Sequence, residues 1–467
     1  MKKRLAAEWE PAVGVLVGWP ASLPLALIRK LCRDTTVHFM CADEAAVEEA
    51  RATLGEMGVD ADSARYLIVP KGDDSTWPRD WGPHPLFDER GNYSLLGPRY
   101  VLSTPFCGTE DEPELCCPLI DDRVPLSEFE GDTSDDLAAE AIARQLGLSF
   151  VKAPFAFTGG NVLNDGVNTI LSTKVLLAEN EFEGLARKDY FSLVAQYTGM
   201  TNYTVLSDYE GFSLNHVDCF LKILDERRLI VIRPPEDHEL YPVYKSIVEN
   251  ELARATNSYG EPWEIVPLDS GEVRSGDGLA AYANSLILNT CVYVPMYGIP
   301  EDERALEEWR EAMPGYDVQG FTFEVADEPF AYNPDDLYGE VGWDPGDVLH
   351  CRTRALWDPQ MLHIDVPGPV GAPAAGRPTT VAAHVVAYSG RPLVQGACEV
   401  RYRAKGAERF DAAPLSAGPT NEVLVAELPA MAAGTEVEYY VAAADESGRA
   451  ETAPRTAPSA FYTFTVA

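Results

Sequence analysis

A thiol, an imidazole and two carboxylates are the groups in this chain whose surroundings point to chemistry. Cys351 lies in Leu349-His350-Cys351-Arg352-Thr353-Arg354, where basic and polar neighbours favour the thiolate, the reactive form of a cysteine. His216 and Asp218 stand two residues apart in His216-Val217-Asp218-Cys219. On an extended segment both side chains face one way, offering an acid/base imidazole and a carboxylate to one ligand. Asp80 follows Arg79 between two tryptophans in Trp77-Pro78-Arg79-Asp80-Trp81-Gly82-Pro83. A carboxylate walled by aromatic rings suits a flat cation, and a guanidinium is one, its planar donor fork pairing bidentately with carboxylates. Each island also has a plainer explanation: a cysteine packed as a small hydrophobe, an Arg79–Asp80 link at a turn, a chance His-x-Asp.

Two further polar segments accompany these groups. Thr158-Gly159-Gly160-Asn161 is a turn where backbone comes close to a substrate or to a neighbouring strand, and Tyr282-Ala283-Asn284-Ser285 brings an amide to the head of an apolar run. The glycine turn lacks the spacing of GxGxxG or GxxxxGK[ST], which argues against a nucleotide site.

The elements that must position these groups alternate in type. Apolar runs at 13–19, 229–232 and 291–295 read as strands. A helix is expected to start at Ser134-Asp135-Asp136, with Leu137, Ala141 and Ile142 on one face, and to end at Gly147. Leu306, Trp309 and Met313 form a second stripe, closed by Pro314-Gly315. No internal repeat stands out, and periodicity predicts an α/β region over 1–365 without defining its topology. The segment 366–378, rich in Pro, Gly and Ala, reads as a linker. Beyond it, runs at 380–388, 398–403, 437–442 and 461–466 are rich in Val, Tyr and Thr, so 366–467 is expected to be an immunoglobulin-like β-sandwich.

Composition narrows the partners. The 74 acidic against 37 basic side chains give a formal charge of −37, which repels nucleic acid and anionic lipid and attracts cations or basic peptides. No apolar run is long enough to span a bilayer. Met1-Lys2-Lys3-Arg4 starts like a secretory leader but runs into Glu8 with no apolar stretch, so the expectation is a cytoplasmic protein, or a secreted one whose leader has been removed. Nine cysteines with no CxxC pair form neither a zinc site nor a disulfide framework. No metal is expected.

Taken in order, these islands resemble the bacterial-type peptidylarginine deiminase family, which includes the agmatine deiminases. The resemblance starts at Glu8-Trp9-Glu10-Pro11 and Gly18-Trp19-Pro20, passes through the islands around Asp80, Gly160, His216 and Asn284-Ser285-Leu286, and ends at Leu349-His350-Cys351-Arg352-Thr353. It implies a five-bladed α/β propeller, the pentein fold, with the site on its axis. It also implies roles: Asp80 and Asp218 clamp a guanidinium, His216 is the general acid/base, Cys351 the nucleophile, Asn284 a support, and Trp77 and Arg79 further contacts to substrate. No metal or organic cofactor is implied.

Within that family, Thr158 where agmatine deiminases resemble Glu-Gly-Gly, together with the β-rich tail, favours arginine in a peptide or protein, converted to citrulline and ammonia. A small guanidine, agmatine or free arginine, is the alternative substrate. The closely spaced Arg-Pro-Arg that grips a C-terminal carboxylate is missing, and 107–132 reads as an insertion in its place, against a preference for C-terminal arginine. A non-catalytic binding protein on the same fold, and amidino transfer to an amine in place of water, are the other readings.

Overall fold

Short apolar runs closed by turns form the strands, and those up to residue 357 pair into five small sheets. The computed structural model describes residues 1–70, 77–100, 134–207, 216–273, 278–323, 343, 348–418 and 423–467. Each sheet repeats one plan, an antiparallel pair whose second strand lies parallel to a third. The second, third and fourth sheets contain only this unit: Leu163–Asn164, Thr169–Thr173 and Asn202–Leu206; Leu221–Ile223, Arg228–Arg233 and Glu264–Asp269; Leu286–Leu288, Cys291–Pro295 and Asp317–Phe321. The first, His84–Phe87, Tyr93–Arg99 and Ser149–Ala156, gains Arg4–Leu5 at its edge. The fifth joins the late strand Thr353–Trp357 to Ala12–Gly18, Thr36–Cys41 and Arg65–Ile68, so both ends of this region share one sheet.

Parallel neighbours need a crossover, and helices such as Leu25–Asp34, Ser134–Leu146 and Asp302–Ala312 supply it. The middle strands are covered on both faces, which is why 291–295 and 229–232 read as unbroken apolar runs. The repeat that sequence comparison within the chain does not reveal is therefore one of strand pairing. Pairing requires an apolar pattern, which many residue choices satisfy.

One expected face is shifted. Helix Ser134–Leu146 ends at Gly147, whose φ is +68°, as the pattern predicts, but Leu137 is 39% exposed. Ala141 and Ile142 are buried as expected, and Ala138 and Ala143 complete the buried face, their small side chains letting the helix lie close to the first sheet.

The chain from Leu362 onward forms two antiparallel sheets. They share a core of Val366, Val381, Val400, Leu428, Tyr439 and Val441, among others. Strands Thr379–Ala387, Glu399–Ala404, Glu436–Ala444 and Tyr462–Thr465 match the four expected runs to within two residues. The start of the segment read as a linker, residues 366–369, instead belongs to strand Leu362–Pro369, paired antiparallel with Thr379–Ala387. Pro367 is accommodated because this strand lies at an edge and its register shifts between Asp365 and Gly368. Arg449 to Asp358 at 2.8 Å and Thr456 to the Pro314 carbonyl at 2.7 Å tie this region to the preceding one. Among the described residues no helix is long and apolar enough to cross a membrane.

The feature that matters for function is how each sheet is entered. Its first strand follows a tight turn: Pro78–Trp81, Gly159–Asn161, Val217–Cys219, and the turns at 282–285 and 349–352. Trp309, fully buried, braces one of these turns by donating its indole N–H to the Tyr282 carbonyl at 3.2 Å. Trp309→Ala is expected to cost about 3–5 kcal/mol, read by urea denaturation followed by circular dichroism.

Candidate active site

The five entry turns bring their polar residues together. Asp80 is 1% exposed, and its Oδ1 accepts a hydrogen bond from the Gly160 N–H at 2.9 Å. His216 Nδ1 lies 3.6 Å from the same oxygen, and neither nitrogen of this buried ring has a hydrogen-bond partner among the described residues. A Cβ on Gly160 would sit 2.6 Å from Asp80 Oδ1, 2.9 Å from His216 Nδ1 and 3.2 Å from Asp218 Oδ1. Two carboxylate oxygens and an imidazole nitrogen thus converge on the Gly160 backbone, closely enough that any side chain there would press against them.

The thiol adjoins this point. Cys351 Sγ lies 3.1 Å from Asn284 Nδ2 and 3.8 Å from Asp218 Oδ2. Asn284 also fixes the nucleophile's backbone, its Oδ1 accepting from the N–H groups of His350 at 2.9 Å and Cys351 at 3.3 Å. Cys351, Asp218 and Asn284 are all fully buried.

His216 and Asp218 converge by a different route from the expected one. His216 is extended, but residues 217–219 form a 3₁₀ turn, so the shared face comes from a turn and not from a strand. Asn161 stabilises that arrangement, accepting from the Val217 N–H at 3.2 Å and from the Thr173 N–H at 2.9 Å.

Arg79 is directed elsewhere than its neighbour. Its Nε donates to the His350 carbonyl at 3.2 Å, and the side chain lines a cavity of about 30 Å³ with Glu8, Lys222 and Arg354. Its observed contact is with backbone. Trp77 caps the turn that presents Asp80, its buried indole N–H without a hydrogen-bond partner among the described residues. Residues 71–76, Asn215, Gly346-Asp347 and the insertion 107–132 lie outside the described residues, as do Cys107, Cys116 and Cys117.

The expected cationic neighbours of Cys351 also point away. Arg352 Nη1 donates to the Ser22 carbonyl at 3.2 Å, and its guanidinium covers the Trp343 ring. His350 turns its Nδ1 to Asp218 Oδ2 at 2.6 Å and its Nε2 to Glu8 Oε2 at 3.0 Å. Its basicity is lowered by burial and by Arg79, against the pull of Glu8. Glu8, Lys222 and Gly160 are the site-lining residues that residue type alone does not single out. The available signal for Lys222 is a lone charge in the otherwise apolar Leu221-Lys222-Ile223.

The two carboxylates differ. Burial and the nearby Asp218 raise the proton affinity of Asp80, although His216 and the Gly160 N–H oppose this. Burial pushes Asp218 the same way, but the His350 hydrogen bond and the charges around it prevail, holding its pKa below the ordinary value. A cation between the two acids would relieve the cost at Asp80. Among the described residues no group of three or more His, Cys, Asp or Glu has the arrangement of a metal site.

Filling the central point tests this geometry. Gly160→Ala is expected to push Asp80, His216 and Asp218 out of place, so that calorimetric binding of a guanidinium probe to the Cys351→Ala protein weakens by about tenfold or more. The far-UV circular dichroism should be unchanged.

Known proteins share this framework. A putative agmatine deiminase of Marinomonas sp. is 24% identical over 401 residues, covering 78% of this chain and 96% of its own. A putative arginine deiminase from Porphyromonas gingivalis superposes with a TM-score of 0.56 at 21% identity, over 77% of this chain and 99% of that one. An agmatine deiminase of Enterococcus faecalis gives 0.56 at 19% identity, over 77% and 96%. These likenesses show a pentein-type α/β fold. The model of the Porphyromonas-type peptidyl-arginine deiminases matches residues 4–325, and the chain belongs to that family.

Proposed function

We propose that this chain is a cysteine-dependent hydrolase of a small guanidine, agmatine or a close analogue, yielding the corresponding urea and ammonia. The observation that carries the reading is the convergence of Asp80 Oδ1, His216 Nδ1 and Asp218 Oδ1 beside Gly160, with the Cys351 thiol alongside Asp218. Relatives named agmatine deiminases support the small substrate over the peptide expected from Thr158 and the β-rich tail. The buried site favours a slender substrate as well, because Cys351, His216, Asp80 and Asp218 are each at most 1% exposed. Arginine within a peptide stands second, favoured by the description of the matching family. The architecture that accompanies this reading is a five-bladed propeller made of the five sheets, with a division near residue 365 and an immunoglobulin-like sandwich over 366–467.

The chemistry follows from the groups present. Asp80 and Asp218 hold the guanidinium flat, and Cys351 Sγ forms a bond to its central carbon. The C–N bond breaks, and His216 gives a proton to the departing ammonia. His216 then takes a proton from water, whose oxygen attacks the thiouronium carbon. Breaking the C–S bond releases the urea and restores the thiolate. Asn284 steadies the sulfur and the backbone beneath it.

Incubation with agmatine, free arginine and arginine peptides tests the assignment. Agmatine is expected to be the best substrate, and citrulline formed only in peptides would reverse the order. Cys351→Ala should lower kcat about 10⁴-fold or more, and undiminished ammonia release would remove Cys351 from the mechanism.

The acid side of the pH profile is a separate check. Binding the cation requires ionised Asp80, whose pKa is raised, so kcat/KM should begin to fall at a pH above the ordinary aspartate range as pH decreases. Asp80→Asn should raise KM roughly 10- to 100-fold, by loss of a charge-assisted hydrogen bond.

A further inference from the structure

We propose that Glu8 and His350 are positioning residues for Asp218, holding its Oδ1 toward the bound cation through a proton that the two share. The inference rests on the reading of Asp218 as a guanidinium ligand and extends it to a buried chain of contacts behind the site.

Glu8 lies between strands Arg4–Leu5 and Ala12–Gly18, with its side chain 11% exposed. Its carboxylate is gripped from three elements. Oε1 accepts from the Ile287 N–H at 2.9 Å, Lys222 Nζ approaches the two oxygens at 3.3 and 3.1 Å, and Oε2 faces His350 Nε2 at 3.0 Å. Lys222 is fixed in turn by donating to the Ser285 carbonyl at 2.6 Å. Glu8 therefore cannot turn away from the imidazole without breaking contacts to two other sheets. It is held strongly acidic, because His350 and Lys222 outweigh the effect of its burial.

His350 passes this constraint on. Its Nδ1 engages Asp218 Oδ2 at 2.6 Å, which occupies that oxygen and leaves Oδ1 at the point marked by Gly160. A neutral imidazole carries one N–H, yet here both ring nitrogens face carboxylate oxygens. The second hydrogen bond needs a further proton, which on this proposal lies between His350 and Glu8, held there by the two close carboxylates against the burial and the Arg79 charge that lower the basicity of the ring. The charged groups facing the ring are Asp218 and Glu8 on one side of the balance and Arg79 and Lys222 on the other. Taking away the Glu8 charge leaves Arg79 and Lys222 less opposed, so the ring gives up the shared proton more readily. Asp218 then has a neutral partner, its proton affinity rises, and its orientation is less restricted.

Glu8→Gln keeps the shape and removes the charge. The expected result is a KM for agmatine raised about tenfold with kcat within about threefold. A folded Glu8→Gln protein with unchanged KM would overturn the proposal. The unaltered protein supplies an independent readout: a low-field imidazole N–H proton resonance, absent in His350→Gln and moved upfield in Glu8→Gln. If Glu8→Gln does not fold, that resonance in the unaltered protein decides, its absence counting against the shared proton. If the unaltered protein hydrolyses no guanidine, the proposed function fails, while the resonance still tests the arrangement of Glu8, His350 and Asp218.

Discussion

Two carboxylates buried at one place are the constraint around which this molecule is organised. Asp80 Oδ1 and Asp218 Oδ1 both approach the space beside Gly160, and neither side chain is more than 1% exposed. Like charges taken out of water repel each other strongly and are tolerated only with compensation. Asp218 has it in His350, whereas Asp80 has the Gly160 N–H and an imidazole 3.6 Å away that has no hydrogen-bond partner among the described residues. The remaining deficit is of the kind that a planar cation makes up. On the proposed function, affinity for such a cation is built into the protein before any ligand arrives.

The fold makes this convergence possible through repetition. Five antiparallel pairs are each entered from a tight turn, and those turns carry Asp80, Gly160, Asp218, Asn284 and Cys351. A residue on a turn held by a sheet has little freedom, which is what a nucleophile aimed at a resonance-stabilised carbon needs. The same plan explains the demand for glycine. A Cβ at Gly159 would meet the Arg79 carbonyl at 1.9 Å, so turns from neighbouring sheets pack backbone against backbone.

Behind the catalytic face lies a second buried set of charges, Glu8, Lys222, Arg79 and Arg354. Arg354 donates to the carbonyls of Pro83 at 2.7 Å and Arg79 at 2.5 Å, tying strand Thr353–Trp357 of the fifth sheet to the turn that bears Asp80. These cations offset the acids in front of them; Arg79 and Arg354 do so while bonding main chain, and Lys222 bonds both the Glu8 carboxylate and the Ser285 carbonyl. The acidic face and its basic support form one electrostatic unit.

Much of this was legible in the chain. Cys351, His216, Asp218, Asp80 and Asn284, which the structure brings together, are singled out as candidates by residue type and motif order, because the proposed nucleophile, acid/base and cation ligands each require a particular functional group. The alternation of strand and helix and the strands beyond residue 378 follow from periodicity, a local property. Other features depend on neighbours distant along the chain. Glu8 meets His350 across 342 positions, and His350 meets Asp218 across 132. The direction of Arg79, the turn that unites His216 with Asp218, the strand that takes in the start of the supposed linker, and the need for Gly160 are settled by which surfaces pack together. Composition and spacing specify which groups are available; only the pairing of the sheets decides which way they point, since burial and hydrogen bonding are set by contacts that no local pattern encodes.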